Sequence, residues 1–154
     1  MSRAASKRAG EAAEATVIQR VPELAPAPGR SEHVDAETET VFVPHAEVPT
    51  VGLPVVERGT PVEIKSCGVV ATVAQSHGRF YLRKRQHAHL VDVSGVYLFA
   101  VTTPHDADVL ALKFVPATVV GEAIAGWVEP DGRADYAQLA WTRVFDQAEV
   151  DDAE

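Results

Sequence analysis

Residues 59–67 read Gly59-Thr60-Pro61-Val62-Glu63-Ile64-Lys65-Ser66-Cys67. Val62 and Ile64 stand two apart, the spacing that sets both on one face of a β-strand, so Glu63 and Lys65 share the opposite face. The turn signal Glu57-Arg58-Gly59 comes just before, which predicts a hairpin between 51–57 and 60–66. Pro49, Pro54 and Pro61 push its first arm toward a sheet edge. Downstream, 79–82 reads as a short strand and 83–93 as a helix carrying Leu90 and Val93, closed at Ser94-Gly95. The runs 96–101 and 109–115, the second interrupted only by Lys113, are apolar and of strand length, as expected of strands buried on both faces and joined as a hairpin. A helix opened by Pro116 runs to about Ile124, and 136–145 supplies a last strand. The expected fold class is α/β, a mixed central sheet flanked by helices.

The outer segments differ in composition. Residues 1–30 are rich in Ala, Glu and Arg and then reach Pro22, Pro26, Pro28 and Gly29. They are read as a flexible or partly helical N-terminal segment, with 4–20 as the helical part. Residues 146–154 carry five carboxylates and are read as a solvated acidic tail. The folded domain is therefore expected over 31–145. The 154-residue length accommodates one such domain. No apolar run approaches the roughly 18 residues of a membrane helix, and the N-terminus lacks a signal-peptide pattern, so the expected location is the cytoplasm. The single cysteine, Cys67, excludes an internal disulfide framework and a thiolate zinc cage.

The formal charge is −8, with ten Arg and only four Lys among the cations. Together with abundant Ala and Val, this resembles the surface of a halophilic protein that works in molar salt. A negative balance ordinarily disfavours nucleic acid. At molar ionic strength, however, the Debye length is ~3 Å, and only close contacts count. Arg79, Arg83, Lys84 and Arg85 place four cations within seven residues, interleaved with Phe80 and Tyr81. Such a cluster can grip a phosphate backbone; the structural alternative is a surface patch balancing the acidic remainder.

A carboxylate beside an ammonium on a rigid strand suits phosphodiester hydrolysis. The carboxylate can hold Mg²⁺, which takes oxygen ligands and polarises phosphate, and the ammonium can orient a water and offset the charge gathering on phosphorus. The competing reading of Glu63 and Lys65 is an ordinary ion pair, worth ~0.2–1 kcal/mol.

The Glu63-Ile64-Lys65 strand, the following Gly78-Arg79-Phe80-Tyr81-Leu82, the basic helix start with Gln86, and Gly95-Val96-Tyr97-Leu98-Phe99-Ala100-Val101 together resemble the PD-(D/E)XK nuclease superfamily. Within it the chain looks closest to small archaeal nuclease-like domains, distantly similar to Holliday junction resolvases. The resemblance implies a restriction-endonuclease-like core and a metal-dependent DNA endonuclease using Mg²⁺ or Mn²⁺. It maps the family's catalytic glutamate and lysine onto Glu63 and Lys65 and its helix glutamine onto Gln86. Arg79, Arg83, Arg85 and Gln86 are then the candidate substrate contacts, DNA the expected partner, and a homodimer permissible.

The family also supplies an aspartate on the preceding strand as second metal ligand, and residues 48–56 hold none. Glu47, sixteen residues before Glu63, is the expected replacement, giving Glu63 and Glu47 as the metal pair. Asp35, Glu37 and Glu39 belong to an acidic run read as a solvated segment. The missing aspartate motivates an alternative function, a catalytically degenerate nucleic-acid-binding or assembly module with the same fold. His87 and His89, two apart, stand about 200° apart on a helix and would not chelate a metal together.

Overall fold

The computed structural model describes residues 14–27, 34–44, 50–52, 54–70, 77–103 and 108–151. Its elements are helix α1 (residues 14–20), strands β1 (Leu24–Pro26), β2 (Ala36–Thr38), β3 (Pro61–Gly68) and β4 (Arg79–Arg83), and helix α2 (Lys84–Asp92). Then come β5 (Val96–Thr102), β6 (Val109–Pro116), α3 (Ala117–Ala123), β7 (Tyr136–Ala140), a 3-10 turn at Trp141–Arg143, and α4 (Gln147–Asp151). Five strands form one mixed sheet in the order β1-β2-β3-β5-β6, and β4 and β7 form a separate antiparallel ribbon. Strand β3 sits at the sheet centre, antiparallel to β2 and parallel to β5.

Alternation divides the core into two layers. Val62 and Ile64 of β3 join Leu98 and Ala100 of β5 on one face, where Val17 and Val21 at the end of α1 cover them. Tyr97, Phe99 and Val101 point to the other face and pack with Phe80 and Leu82 of the ribbon, Leu90 of α2 and Val120 of α3. Strand β5 is thus buried on both sides, as its unbroken apolar run predicts. Each large side chain removed from water contributes roughly 1.5–3 kcal/mol.

Beyond the last strand, which ends at Ala140 and gives way to a 3-10 turn rather than running to 145, the structure departs from the sequence reading in three places. The described residues of 51–57 do not pair with β3; Val56 forms an isolated bridge to Phe42, and Thr50 bridges Leu112 at the β6 edge. Pro54 has no N–H to give a ladder, and the place beside β3 goes to β2. Thr38 secures that pairing: its hydroxyl donates to Glu57 O at 2.5 Å and accepts from Thr60 N at 3.0 Å. Second, the expected limits at 31 and 145 fall inside the packed structure. Val17, Val21 and Leu24 are buried at one end, and at the other Val150 of α4 is buried. The Lys113 ammonium, 3.9 Å from Glu149 and donating to Val144 O at 2.8 Å, offsets part of the acidic charge there. Third, the left-handed residue ending α2 is Ser94, at φ 55°, rather than Gly95. Gly95 is needed for room: a Cβ there would stand 2.4 Å from Leu90 Cδ1.

Candidate active site

Glu63 and Lys65 leave β3 on the face shared with their register partners Tyr97 and Phe99. Lys65 Nζ lies 3.3 Å from Glu63 Oε1 and donates to Gln86 Oε1, also at 3.3 Å. Strand alternation and the first turn of α2 therefore bring Glu63, Lys65 and Gln86 together. Arg83, preceding that turn, is the extended residue that starts the helix.

The second acid is Asp35, from the acidic run that composition alone marks as solvated. It stands immediately before β2, and antiparallel pairing of Ala36 with Val62 carries it alongside Glu63. Asp35 N donates to Val62 O at 3.1 Å, and Asp35 Oδ2 accepts from Ile64 N at 2.8 Å. Its carboxyl is thereby tied to the backbone on either side of Glu63. Nothing in local spacing reveals this, because 28 residues separate the two acids. The one sign was the alternation of Ala36 and Thr38, too short to identify a strand. Glu47, the expected second ligand, lies outside the described residues.

The electrostatics of the pair are strained. Glu63 is 3% exposed, and burial pushes its carboxyl up to about 8 from an ordinary 4.5, with the nearby Asp35 charge raising it further. Lys65 acts in the opposite direction but does not overcome desolvation. One carboxylate oxygen, Glu63 Oε2, is buried with no hydrogen-bond partner, an arrangement that ordinarily costs a few kcal/mol. A buried acid beside a second acid, with an unsatisfied oxygen, is only partly compensated by the one Lys65 ammonium. That donor chemistry fits a divalent cation. Among the described residues no group of three or more His, Cys, Asp and Glu converges; two carboxylates suit Mg²⁺, which retains several waters and takes further oxygens from phosphate.

Around this pair, Tyr97 is buried, and its hydroxyl is raised by desolvation and by the Glu63 charge. It meets His87 Nδ1 at 2.9 Å, and burial lowers the His87 pKa. His87 thus serves the packing of α2 against β5. Cys67 is pushed up to about 12 by burial and is no nucleophile at neutral pH.

The cationic cluster does not converge on Glu63. Along β4, Phe80 and Leu82 face the core while Arg79, Tyr81 and Arg83 alternate outward. Since Phe80 packs on Phe99, centroids 4.5 Å apart, and Phe99 is the register partner of Lys65, the arginine face of the ribbon is turned away from the carboxylates. Lys84 pairs with Asp135 at 3.8 Å. Arg85, exposed on the first turn of α2 one residue before Gln86, stands nearest the site in sequence.

Two further observations bear on what kind of protein this is. No helix among the described residues is long and apolar enough to cross a membrane. Neither a curated protein nor a solved structure matches the chain. The family model described as the PD-(D/E)XK nuclease superfamily domain, however, matches residues 1–146, a span that contains α1, the whole five-stranded sheet and the Asp35, Glu63, Lys65 and Gln86 cluster. With its mixed sheet flanked by helices and its Glu-Ile-Lys strand at the centre, the chain belongs to the PD-(D/E)XK nuclease superfamily.

Proposed function

We propose that the protein is a metal-dependent endonuclease acting on DNA, with Asp35 and Glu63 as the carboxylates that hold Mg²⁺ or Mn²⁺. The observation that carries this reading is the attachment of Asp35 to the backbone on both sides of Glu63, whose second oxygen is buried without a partner. When bound, the cation polarises the scissile phosphate and lowers the pKa of a water. Glu63 would release its proton to solvent in taking up that role; its raised pKa opposes this near neutral pH until positive charge is present. Lys65, held between Glu63 and Gln86, orients the attacking water and offsets the charge developing on the phosphoryl oxygens. Gln86 fixes the Lys65 ammonium, and Arg85 reaches a flanking phosphate. The alternative, a degenerate binding module, was motivated by a missing second acid; Asp35 beside Glu63 favours the catalytic reading.

The test is cleavage of branched and linear DNA by the purified protein with Mg²⁺ or Mn²⁺ in high salt, beside Glu63→Ala and Lys65→Ala. Loss of cutting in both variants supports the assignment. Equal cutting by all three proteins removes it, and retention of DNA without cutting by the unaltered protein returns the binding-module reading.

A further inference from the structure

The outer face of the β4–β7 ribbon has no part in the site above, yet it is not an ordinary polar surface. Arg79, Tyr81 and Arg83 emerge on it from β4, and the register partners of Tyr81 and Arg83, Gln138 and Tyr136, emerge on it from β7. Tyr81 is 45% exposed. Its ring is stacked on Tyr136 with centroids 4.9 Å apart and planes 16° apart, so one side of the ring is backed and its orientation is held. Arg79 and Arg83 flank it two residues away on either side, which at 3.4 Å per residue spans about 14 Å.

The charge at this face runs against the rest of the molecule. The chain carries −8, but among the described residues Arg79 and Arg83 are exposed and form no ion pair. Cations that merely balanced an acidic surface would sit beside carboxylates, as Lys84 does with Asp135. Here they are left facing solvent on either side of a pre-oriented aromatic ring.

We propose that this face binds single-stranded nucleic acid, an unpaired base stacking on Tyr81 with Tyr136 behind it, and Arg79 and Arg83 contacting the phosphates on either side. A strand-borne aromatic flanked by cations is a stacking platform that tolerates any base. Duplex DNA fits less well, because its bases are already stacked and offer Tyr81 only an edge or a backbone. An acidic polypeptide could satisfy the arginines but has no planar group for the tyrosine. The strand held here is separate from the linkage at Glu63, since the platform and the carboxylates lie on opposite sides of the ribbon. The proposal does not rest on the nuclease reading.

The experiment measures binding of fluorescent oligo-dT and oligo-U by anisotropy in chelator, using the full chain and a Glu63→Gln background, so that cleavage is irrelevant to the result. Duplex DNA and polyglutamate serve as competitors. The expected result is binding of both single strands, weakened at least about fivefold by Tyr81→Ala and retained in Tyr81→Phe, which keeps the ring. Arg79→Gln with Arg83→Gln should reduce the slope of log affinity against log salt by ~1.4, from ~0.7 for each phosphate contact. These two surface changes leave the core side of the ribbon untouched and decide the matter if Tyr81→Ala perturbs folding. The proposal is overturned if Tyr81→Ala and Tyr81→Phe behave alike in folded protein, if the double arginine variant keeps the full salt slope, or if polyglutamate or duplex displaces oligo-dT as readily as unlabelled oligo-dT does.

Discussion

Asp35 grips the strand of Glu63 on both sides, donating from its backbone to Val62 O and accepting at its carboxylate from Ile64 N. The two acids are therefore held together by the sheet's own hydrogen bonding, and their mutual position does not depend on flexible side-chain torsions alone. Their repulsion, together with burial, is borne by the fold; perturbed carboxylates of this kind cluster at functional sites.

Asp35→Asn should lower metal-dependent cleavage about a hundredfold or more, because it removes one of two anionic oxygens available to a cation. Glu47→Gln should leave the rate essentially unaltered. Single-turnover rates of the two variants on one DNA substrate decide between the acids, and the reverse ranking would transfer the role to Glu47.

Stability should carry the signature of Glu63. Its folded pKa, about 8, exceeds the ordinary 4.5, so the native state holds the proton more tightly and this group's contribution is fully present below pH 4.5. It is lost as pH rises through 8. Glu63→Gln, which stays neutral, should gain on the unaltered protein across that window by on the order of several kcal/mol. Urea midpoints measured against pH in chelator test this, and added Mg²⁺ should narrow the gap by binding the ionised form. A constant difference between the two proteins at all pH values would show that Glu63 is not desolvated as described.

Gln86→Ala frees one side of the Lys65 ammonium while leaving the 3.3 Å contact to Glu63. The expected effect is a fall in kcat of about ten- to a hundredfold with KM little changed, since the loss lies in orientation rather than in substrate grip. Steady-state kinetics separate the two, and a rise in KM alone would make Gln86 a substrate contact.

Gly78→Ala should destabilise the fold by on the order of 1–3 kcal/mol or more. A Cβ at this position would stand too close to the backbone carbonyl of Gly68, its nearest neighbour, where the chain entering β4 passes the end of β3. Thermal unfolding measures the loss, and an unchanged midpoint would mean that the two segments separate without penalty.

Local order was largely readable. The period-two pattern at Val62, Glu63, Ile64 and Lys65 decides which side chains share a face, because alternation is a property of any extended chain. Likewise the apolar runs of β5 and β6, the helix from Lys84 and the helix opened after Pro116 follow from composition and punctuation alone. Alternation gives the Glu63 and Lys65 pairing; Gln86 joins it in the sequence only through the family resemblance.

What the tertiary structure alone decided is the partner of β3. A strand's pattern states which face is apolar but not which distant segment will hydrogen-bond to its edge; that is settled by which segment can donate a full ladder and be covered by the rest of the core. Residues 51–57 were nearer in sequence, yet the short Ala36–Thr38 strand won the place, bringing Asp35 to Glu63. The same limit hid the direction of the arginines: alternation put Arg79 and Arg83 on one face of β4, but only the packing of Phe80 onto Phe99 turned that face away from the carboxylates.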